Sequence, residues 1–461
     1  MAIQAAFTVP HPPLIIPEIG KGEEEQIRET IGAYERAADE IAALAPETII
    51  ITSPHSVMYA DYFHISPGRG AKGSFGRFGA GRVRFDEEYD TSLRERICAL
   101  ADAEGFPAGT LGERDASLDH GTMVPLWFIR RKYAGGKILR IGLSGLPLSN
   151  HYRLGQMIAR AVDEAGRRAV FIASGDLSHK LQSYGPYGYA PEGPEYDRRI
   201  MDVCGRAAFG ELLEFDETFC DRAAECGHRS FVIMAGAFDG IRVKAEVFSH
   251  QDVTGVGYGI CSFYPEGPDG SRHFLAAYQE KQERELREKA AKSDAFVKLA
   301  RASVESWVRN RRVLPLPADL PEELAKRRAG AFVSIHKNGQ LRGCIGTISA
   351  VEGSLAEEII QNAVSASSRD PRFSPITPDE LKYLEISVDV LGDAEKVDSP
   401  DKLDVKRYGV IVTSGRKRGL LLPDLDGVDT VEEQIRIARR KAGIREDEKI
   451  SLERFEVVRH Y

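Results

Sequence analysis

The sequence predicts an α/β protein in two parts. The first is an N-terminal domain with a mixed, mainly parallel sheet flanked by helices, and the second is a smaller C-terminal α+β domain. Three observations carry that expectation. Short apolar runs alternate with segments of helical periodicity over the first 265 residues, the pattern of β-α-β units with parallel strands. At 461 residues the chain exceeds what one hydrophobic core ordinarily organises. After Pro265 the composition changes, and residues 278–292 are charged on most sides with no apolar stripe. The expected division is 1–268 for the first domain, 269–292 for a charged linker helix and 293–461 for the second domain.

Residues 3–9 form the first strand. Pro10, Pro12 and Pro13 around His11 have fixed φ and no amide donor, so the chain leaves this strand as a stiff, extended loop. Ile27, Ile31, Tyr34, Ala38 and Ile41 then recur at helical spacing, and residues 48–52 form a second strand. This β-α-β opening places His11 and His55 beyond the same ends of two parallel strands. The Gly-rich segment 67–81 reads as a long loop that either lids the cleft or is simply a hairpin tip, the second being favoured. A helix over 92–103 leads to Asp119-His120-Gly121, where His120 stands near the N-terminus of a helix whose dipole disfavours an imidazolium.

A strand over 137–144, a helix over 154–165 and a strand over 168–173 continue the alternation. The last of these delivers Ser174-Gly175-Asp176-Leu177-Ser178-His179 to the place where open α/β sheets bind their ligands. Tyr184, Tyr187 and Tyr189 occupy a Gly/Pro-rich loop and form either a pocket wall or ordinary surface. Glu225-Cys226-Gly227-His228 opens a helix over 230–238. Glu225 is there either a charge favoured by the dipole or a metal ligand, and His228, three residues on, is placed near the same pocket. Strands over 244–249 and 256–265 close the sheet.

Composition narrows the function classes. Acidic and basic residues are interspersed with a net charge of −8, which argues against a nucleic-acid groove. No apolar run reaches the ~20 residues of a bilayer-spanning helix. The start lacks the basic end and apolar stretch of a signal peptide, so a cytoplasmic location is expected. The six cysteines include no Cys-x-x-Cys pair and are expected as free thiols.

The ordered set Pro10-His11-Pro12, Ser53-Pro54-His55, Asp119-His120-Gly121 and Ser174 to His179 resembles the class III extradiol ring-cleaving dioxygenases, the protocatechuate dioxygenase β-subunit family, and their MEMO relatives. The resemblance covers roughly the first 265 residues. It implies a non-haem Fe(II) site, with Zn an alternative, held by His11, His55 and Glu225. It also implies His179 as acid/base, His120 as the residue supporting it, and a catechol-like aromatic and O₂ as substrates. The MEMO branch places a cysteine where Cys226 stands. Glu225 is the expected ligand and Cys226 its alternative, because a carboxylate usually completes an O₂-activating ferrous site.

The second half begins with a helix over 296–308. Strands over 331–335 and 341–346 make a hairpin whose turn is Asn338-Gly339. A helix over 354–366, strands over 384–391, 409–413 and 420–422, and a helix over 431–442 follow. Leu341-Arg342-Gly343-Cys344-Ile345-Gly346 and Asp370-Pro371-Arg372-Phe373 resemble the two signature elements of the AMMECR family. Cys344 is either a nucleophile whose pKa Arg342 depresses or a buried thiol in a tight turn. The fusion resembles systems in which both families accompany a radical-SAM protein, which implies such a partner and a shared substrate. A homo-oligomer is compatible with the sequence.

Overall fold

The computed structural model describes residues 3–112, 116–425 and 427–461. Lys137–Gly142, Thr48–Ser53, Ala169–Ser174 and Ile3–Val9 lie side by side in that order and run parallel. Tyr258–Pro268 pairs antiparallel with Ile3–Val9, and Ile241–Gln251 pairs antiparallel with Tyr258–Pro268 at the sheet edge. Thr48–Ser53 and Ala169–Ser174 are buried at every position, because helices cover both faces and leave no solvated side to favour polar alternation. Ala6, Ile50 and Phe171 point to one face, against Ile158 of the helix Leu148–Ala165 and Ile233 of His228–Gly236. Phe7, Ile49, Ile51 and Ile172 point to the other, against Tyr34 of Arg28–Leu44 and Phe128 of His120–Lys132.

The Gly-rich segment takes the hairpin alternative. Gly70–Phe75 and Ala80–Glu88 form an antiparallel hairpin closed by the turn Gly76–Phe78, with Gly79 at φ 83°. Its glycines mask strand periodicity, since only Ala71 and Phe75 of the first strand are buried. Glu192–Gly205 and Glu217–Ala223 are further helices that the strand-by-strand reading left unassigned.

The chain divides into two compact units at 279/280, inside the helix Phe274–Lys292, of which only Leu275 is buried. In the second unit Gln340–Gly346, Ala331–Lys337, Leu384–Leu391, Ser451–His460, Tyr408–Ser414 and Lys417–Leu421 form an antiparallel sheet in that order. Ala295–Asn310 and Leu355–Ser368 pack on one part of it, and Val431–Lys441 packs on another. Asn338 and Gly339 have φ of 54° and 75°, the pair of positive values that a two-residue hairpin turn matching strand twist requires.

Candidate metal centre

Parallel register brings three loops together. Val9 pairs with Ser174, and Thr52 pairs with Ala173, so the chain leaves three neighbouring strands at one edge. The His11 amide donates to Asp176 Oδ1 at 2.7 Å, tying the first loop to the third. A fourth segment reaches the same place because Gly175 and Gly227 touch. A Cβ on Gly175 would stand 2.0 Å from Gly227 Cα. That approach lets the Asp176 amide donate to Cys226 Sγ at 3.3 Å.

His11 Nε2 lies 3.0 Å from His55 Nε2 and 3.6 Å from Cys226 Sγ. These three atoms lie within 4.8 Å of one another, as do the donor atoms of Asp176, His179 and Cys226. The orientation of His11 follows from a chain of hydrogen bonds. Pro125, inside the helix His120–Lys132, has no N–H to offer the Gly121 carbonyl four residues back. That carbonyl instead accepts from Ser174 Oγ at 2.6 Å. With its one proton so used, Ser174 accepts from His11 Nδ1 at 2.9 Å. His11 Nε2 therefore presents a lone pair to His55 and Cys226.

Burial, reinforced by the neighbouring imidazoles, holds His11 well below its ordinary pKa. Burial also lowers His55, and burial with His55 brings His120 down to about 4. Burial, and then the Asp176 and Glu225 carboxyls, pushes the Cys226 thiol up. Neutral nitrogens crowded onto a thiol are a Lewis-basic cluster whose natural partner is a cation. Two nitrogens held about 2.0–2.1 Å from one ion at tetrahedral or octahedral angles stand about 3–3.4 Å apart, close to the spacing of the two Nε2 atoms. The donor set fits a transition-metal ion, with loss of the thiol proton on binding.

Glu225 is placed differently from the sequence expectation. Its carboxylate accepts the His228 amide at 2.6 Å, and burial pushes its pKa up to about 7. The unsatisfied amides at the start of His228–Gly236 claim it, and Cys226 is the residue that faces His11. His228 also turns away from the pocket. It is 1% exposed, and its Nε2 meets the Leu212 carbonyl at 2.9 Å.

His120 is the first residue of its helix, behind the N-cap Asp119. Asp119 Oδ1 accepts from the Thr122 amide at 3.0 Å and from Ser53 Oγ at 2.6 Å. The His120 ring stacks on His55 with centroids 4.0 Å apart, so its neighbour is a candidate ligand rather than His179. His179 Nε2 lies 3.9 Å from Asp176 Oδ2, and its ring meets Tyr187 edge-on at 5.1 Å. Tyr184, Tyr187 and Tyr189 are all exposed, and Tyr187 is the one whose ring meets His179. Burial lowers the His179 pKa, partly offset by the backbone of Ala224 and Leu177. Behind His179, Asp197 Oδ1 accepts the Ser178 amide at 2.9 Å and Oδ2 accepts from His250 Nε2 at 2.8 Å. Sequence reasoning missed this brace because Asp197 sits in a helix it had not found. It also passed over Asp176, although that residue lies within the motif and is a buried acid at a strand end. His55 and His120 open into a cleft of about 1210 Å³.

Residues 5–261 match the family described as the catalytic LigB subunit of aromatic ring-opening dioxygenase, and residues 297–460 match AMMECR1. The chain belongs to the LigB family and carries an AMMECR1 domain. Protein CA_C1420 of Clostridium acetobutylicum is 40% identical over 468 residues, covering 100% of this chain and 99% of the relative, so the likeness runs through both domains. A protein of Thermotoga maritima is 52% identical over 167 residues, 36% of this chain and 96% of its own. The crystal structure of the uncharacterized protein JW3007 from Escherichia coli K12 aligns with a TM-score of 0.40 at 15% identity, covering 56% of this chain and 99% of that one. Among the described residues no helix is long and apolar enough to cross a membrane.

In the AMMECR1 domain the two residues of the expected second site separate. Arg342 forms a two-pronged pair with Glu380, both contacts at 3.0 Å, and donates to the Ser374 carbonyl at 2.8 Å. Cys344 meets other groups. Ser334 Oγ donates to its Sγ at 3.2 Å, its amide donates to Asp370 Oδ2 at 2.9 Å, and Arg372 donates to its carbonyl at 3.2 Å. Burial raises the Cys344 pKa, so Arg342 does not activate it; Arg372 is the cation that acts on it, and burial outweighs Arg372.

Proposed function

We propose that the LigB domain holds a transition-metal ion through His11, His55 and Cys226 and opens the ring of a catechol-like aromatic with O₂, the ion being Fe(II). The observation that supports this reading is the convergence of three donor atoms, of which His55 lines the cleft, with His179 in a second cluster that shares Cys226. Bound Fe(II) would supply the place where the two diol oxygens and O₂ meet. The Ser174 relay keeps His11 Nε2 deprotonated toward that place. His179 is neutral near pH 7, so it takes a proton from an arriving diol and returns it to the opened product. His120 stacked on His55 shields one side of the donors from water. A reducing cytoplasmic setting, which keeps Cys226 a thiol, belongs to the same proposal.

The test is anaerobic titration with Fe(II), followed by O₂ uptake across a panel of diols, with His179→Ala as the comparison. Stoichiometric iron and diol-dependent uptake, lost in His179→Ala with iron retained, is the expected result. Absence of uptake with every diol refutes the oxygenase. One observation favours a second reading: a thiol rather than a carboxylate faces the two histidines, and thiolate donors suit Zn(II). In that reading the LigB domain is a non-oxygenase metal module acting beside a radical-SAM partner. Zinc outcompeting iron, with no O₂ uptake, would select it.

A further inference from the structure

Far from the donor set in sequence, two helices of the second unit share a groove. Arg301, Glu305 and Arg309 follow one another at four-residue intervals along Ala295–Asn310, so they lie on one face of that helix. Glu283, Leu286, Arg287 and Ala290 do the same in the second half of Phe274–Lys292. The two faces, with Leu381, Lys382 and Leu384, line a groove of about 210 Å³. All of these residues belong to the second unit. One wall, residues 283–290, precedes the AMMECR1 match, which begins at 297.

Two ion pairs fasten that wall. Lys382 pairs with Glu283, and Lys289 pairs with Glu385 at 2.9 Å. These contacts neutralise their own charges and leave the arginines over. Arg287, Arg301 and Arg309 line the groove without an ion-pair partner among the described residues, and Glu305 is the lining acid that remains to set against them. The groove therefore keeps a positive excess in a chain whose net charge is −8. Arg301 is the half-buried member of the three. Its Nη2 donates to the Leu384 carbonyl at 2.9 Å, while its Nε is buried with no acceptor among the described residues. Burial lowers the Arg301 pKa, and Glu305 and Glu385 restore it only in part. A guanidinium taken partly out of water without a counter-charge is stabilised by any anion that reaches it.

We propose that this groove binds a small oxyanion carrying a short aliphatic part, the oxyanion on the Arg301 guanidinium with Arg287 and Arg309 adding to its field, and the aliphatic part against Leu286 and Leu384. Carboxylate and phosphate both match the planar fork of an arginine, so the shared chemistry is the oxyanion. Size follows from the space: about 210 Å³ is below the roughly 300–1,000 Å³ of ordinary small-molecule pockets. The site is separate from the metal centre, and it stands or falls without ring opening.

Calorimetric titration of the full chain tests it, in chelator so that no bound metal ion competes for the probe. The probes are butyl phosphate, butyrate, inorganic phosphate and the neutral butyramide. Wild type should bind butyl phosphate or butyrate about tenfold or more tightly than butyramide, and the tighter of the two identifies the oxyanion. Butyl phosphate should bind about fivefold more tightly than inorganic phosphate if the aliphatic part is seated. Arg301→Gln should bring oxyanion and amide within about twofold of each other. Because Arg301 also holds the Leu384 carbonyl, a second variant keeps the test decisive should the first fail to fold. Arg287→Ala combined with Arg309→Ala removes two exposed side chains and should cut the preference about threefold or more. Equal affinity for oxyanion and amide in wild type overturns the proposal, as does a preference that survives Arg301→Gln or is unchanged in the double variant. Binding of inorganic phosphate as tight as that of butyl phosphate overturns the aliphatic half.

Discussion

Cys226 and Cys344 are both half-buried thiols whose pKa burial raises, yet their surroundings differ in kind. Around Cys344 each group already has a counterpart. Asp370 accepts from the Cys344 amide and from Arg372, Arg372 donates to the Cys344 carbonyl, and Ser334 donates to the sulfur. Around Cys226 the sulfur accepts from the Asp176 amide and faces its carbonyl, yet it also meets His11 Nε2 with His55 Nε2 beside them, so three donor atoms gather within reach of one ion. A closed network holds a loop in place. An electron-rich, incomplete one calls for a cation. The carboxyls show the same contrast: burial pushes Asp176 up to about 7, whereas Arg342 and Lys337 overcome burial and hold Glu380 down at about 2.

The largest effect that would break this contrast belongs to the thiols. Cys226→Ser should weaken metal binding by about a hundredfold or more, since loss of a mere supporting group already costs about 10–100-fold. Cys344→Ser should leave metal stoichiometry unchanged. Both are read by equilibrium dialysis with metal analysis, and equal losses in the two variants would erase the distinction. Next in size is Asp370→Ala, which strands the Cys344 amide and frees Arg372. A cost of about 2–3 kcal/mol in urea unfolding is expected, because hydrogen bonds to an ion are lost and a buried donor is left unpaired.

The pH response of the AMMECR1 domain comes third. Glu380 titrates at about 2 when folded and near 4.5 when unfolded, so the folded state binds fewer protons between those values. Its contribution is complete above about pH 4.5 and disappears as pH falls toward 2. Allowing for partial solvent screening, about 2 kcal/mol is at stake. Urea midpoints followed by Trp307 fluorescence in a Trp127→Phe background should fall across this window, and Glu380→Gln should flatten the fall. A slope unchanged by Glu380→Gln would assign the acid sensitivity elsewhere. Fourth is the relay behind His11. Ser174→Ala should lower metal affinity about tenfold by freeing the His11 tautomer, with unfolding little changed. Intact affinity would show that the Ser174 hydroxyl is dispensable.

Sequence showed where strands end more readily than where side chains turn. The parallel strands are read from runs such as Ile49-Ile50-Ile51 and Val170-Phe171-Ile172, because burial on both faces demands continuous apolar residues. Parallel order then nearly dictates that His11, His55 and His179 share an edge. Ser451–His460 went unread although it lies between Leu384–Leu391 and Tyr408–Ser414, because Glu453, Arg454, Glu456 and Arg459 hide its alternation. The hairpin bearing Phe78 and Arg84 was legible only as one alternative, because its glycines blur the strand periodicity. Choosing between adjacent residues such as Glu225 and Cys226 requires knowing which backbone amides are left without partners. Periodicity does not contain that information.

The smallest expected change is the one that bears most directly on that choice. Glu225→Ala removes the acceptor for the His228 amide and should cost about 1 kcal/mol of stability, the usual loss for a helix-start acceptor. Metal affinity should stay within about twofold of wild type, because its carboxylate is spent on the helix and is not aimed at the donors. Glu225→Gln keeps a carbonyl acceptor and should recover most of the stability, separating a capping role from a charge. If Glu225→Ala lost metal as completely as Cys226→Ser while Glu225→Gln did not restore it, the carboxylate would have to leave the helix start when the ion binds, and the donor set would then be His11, His55 and Glu225.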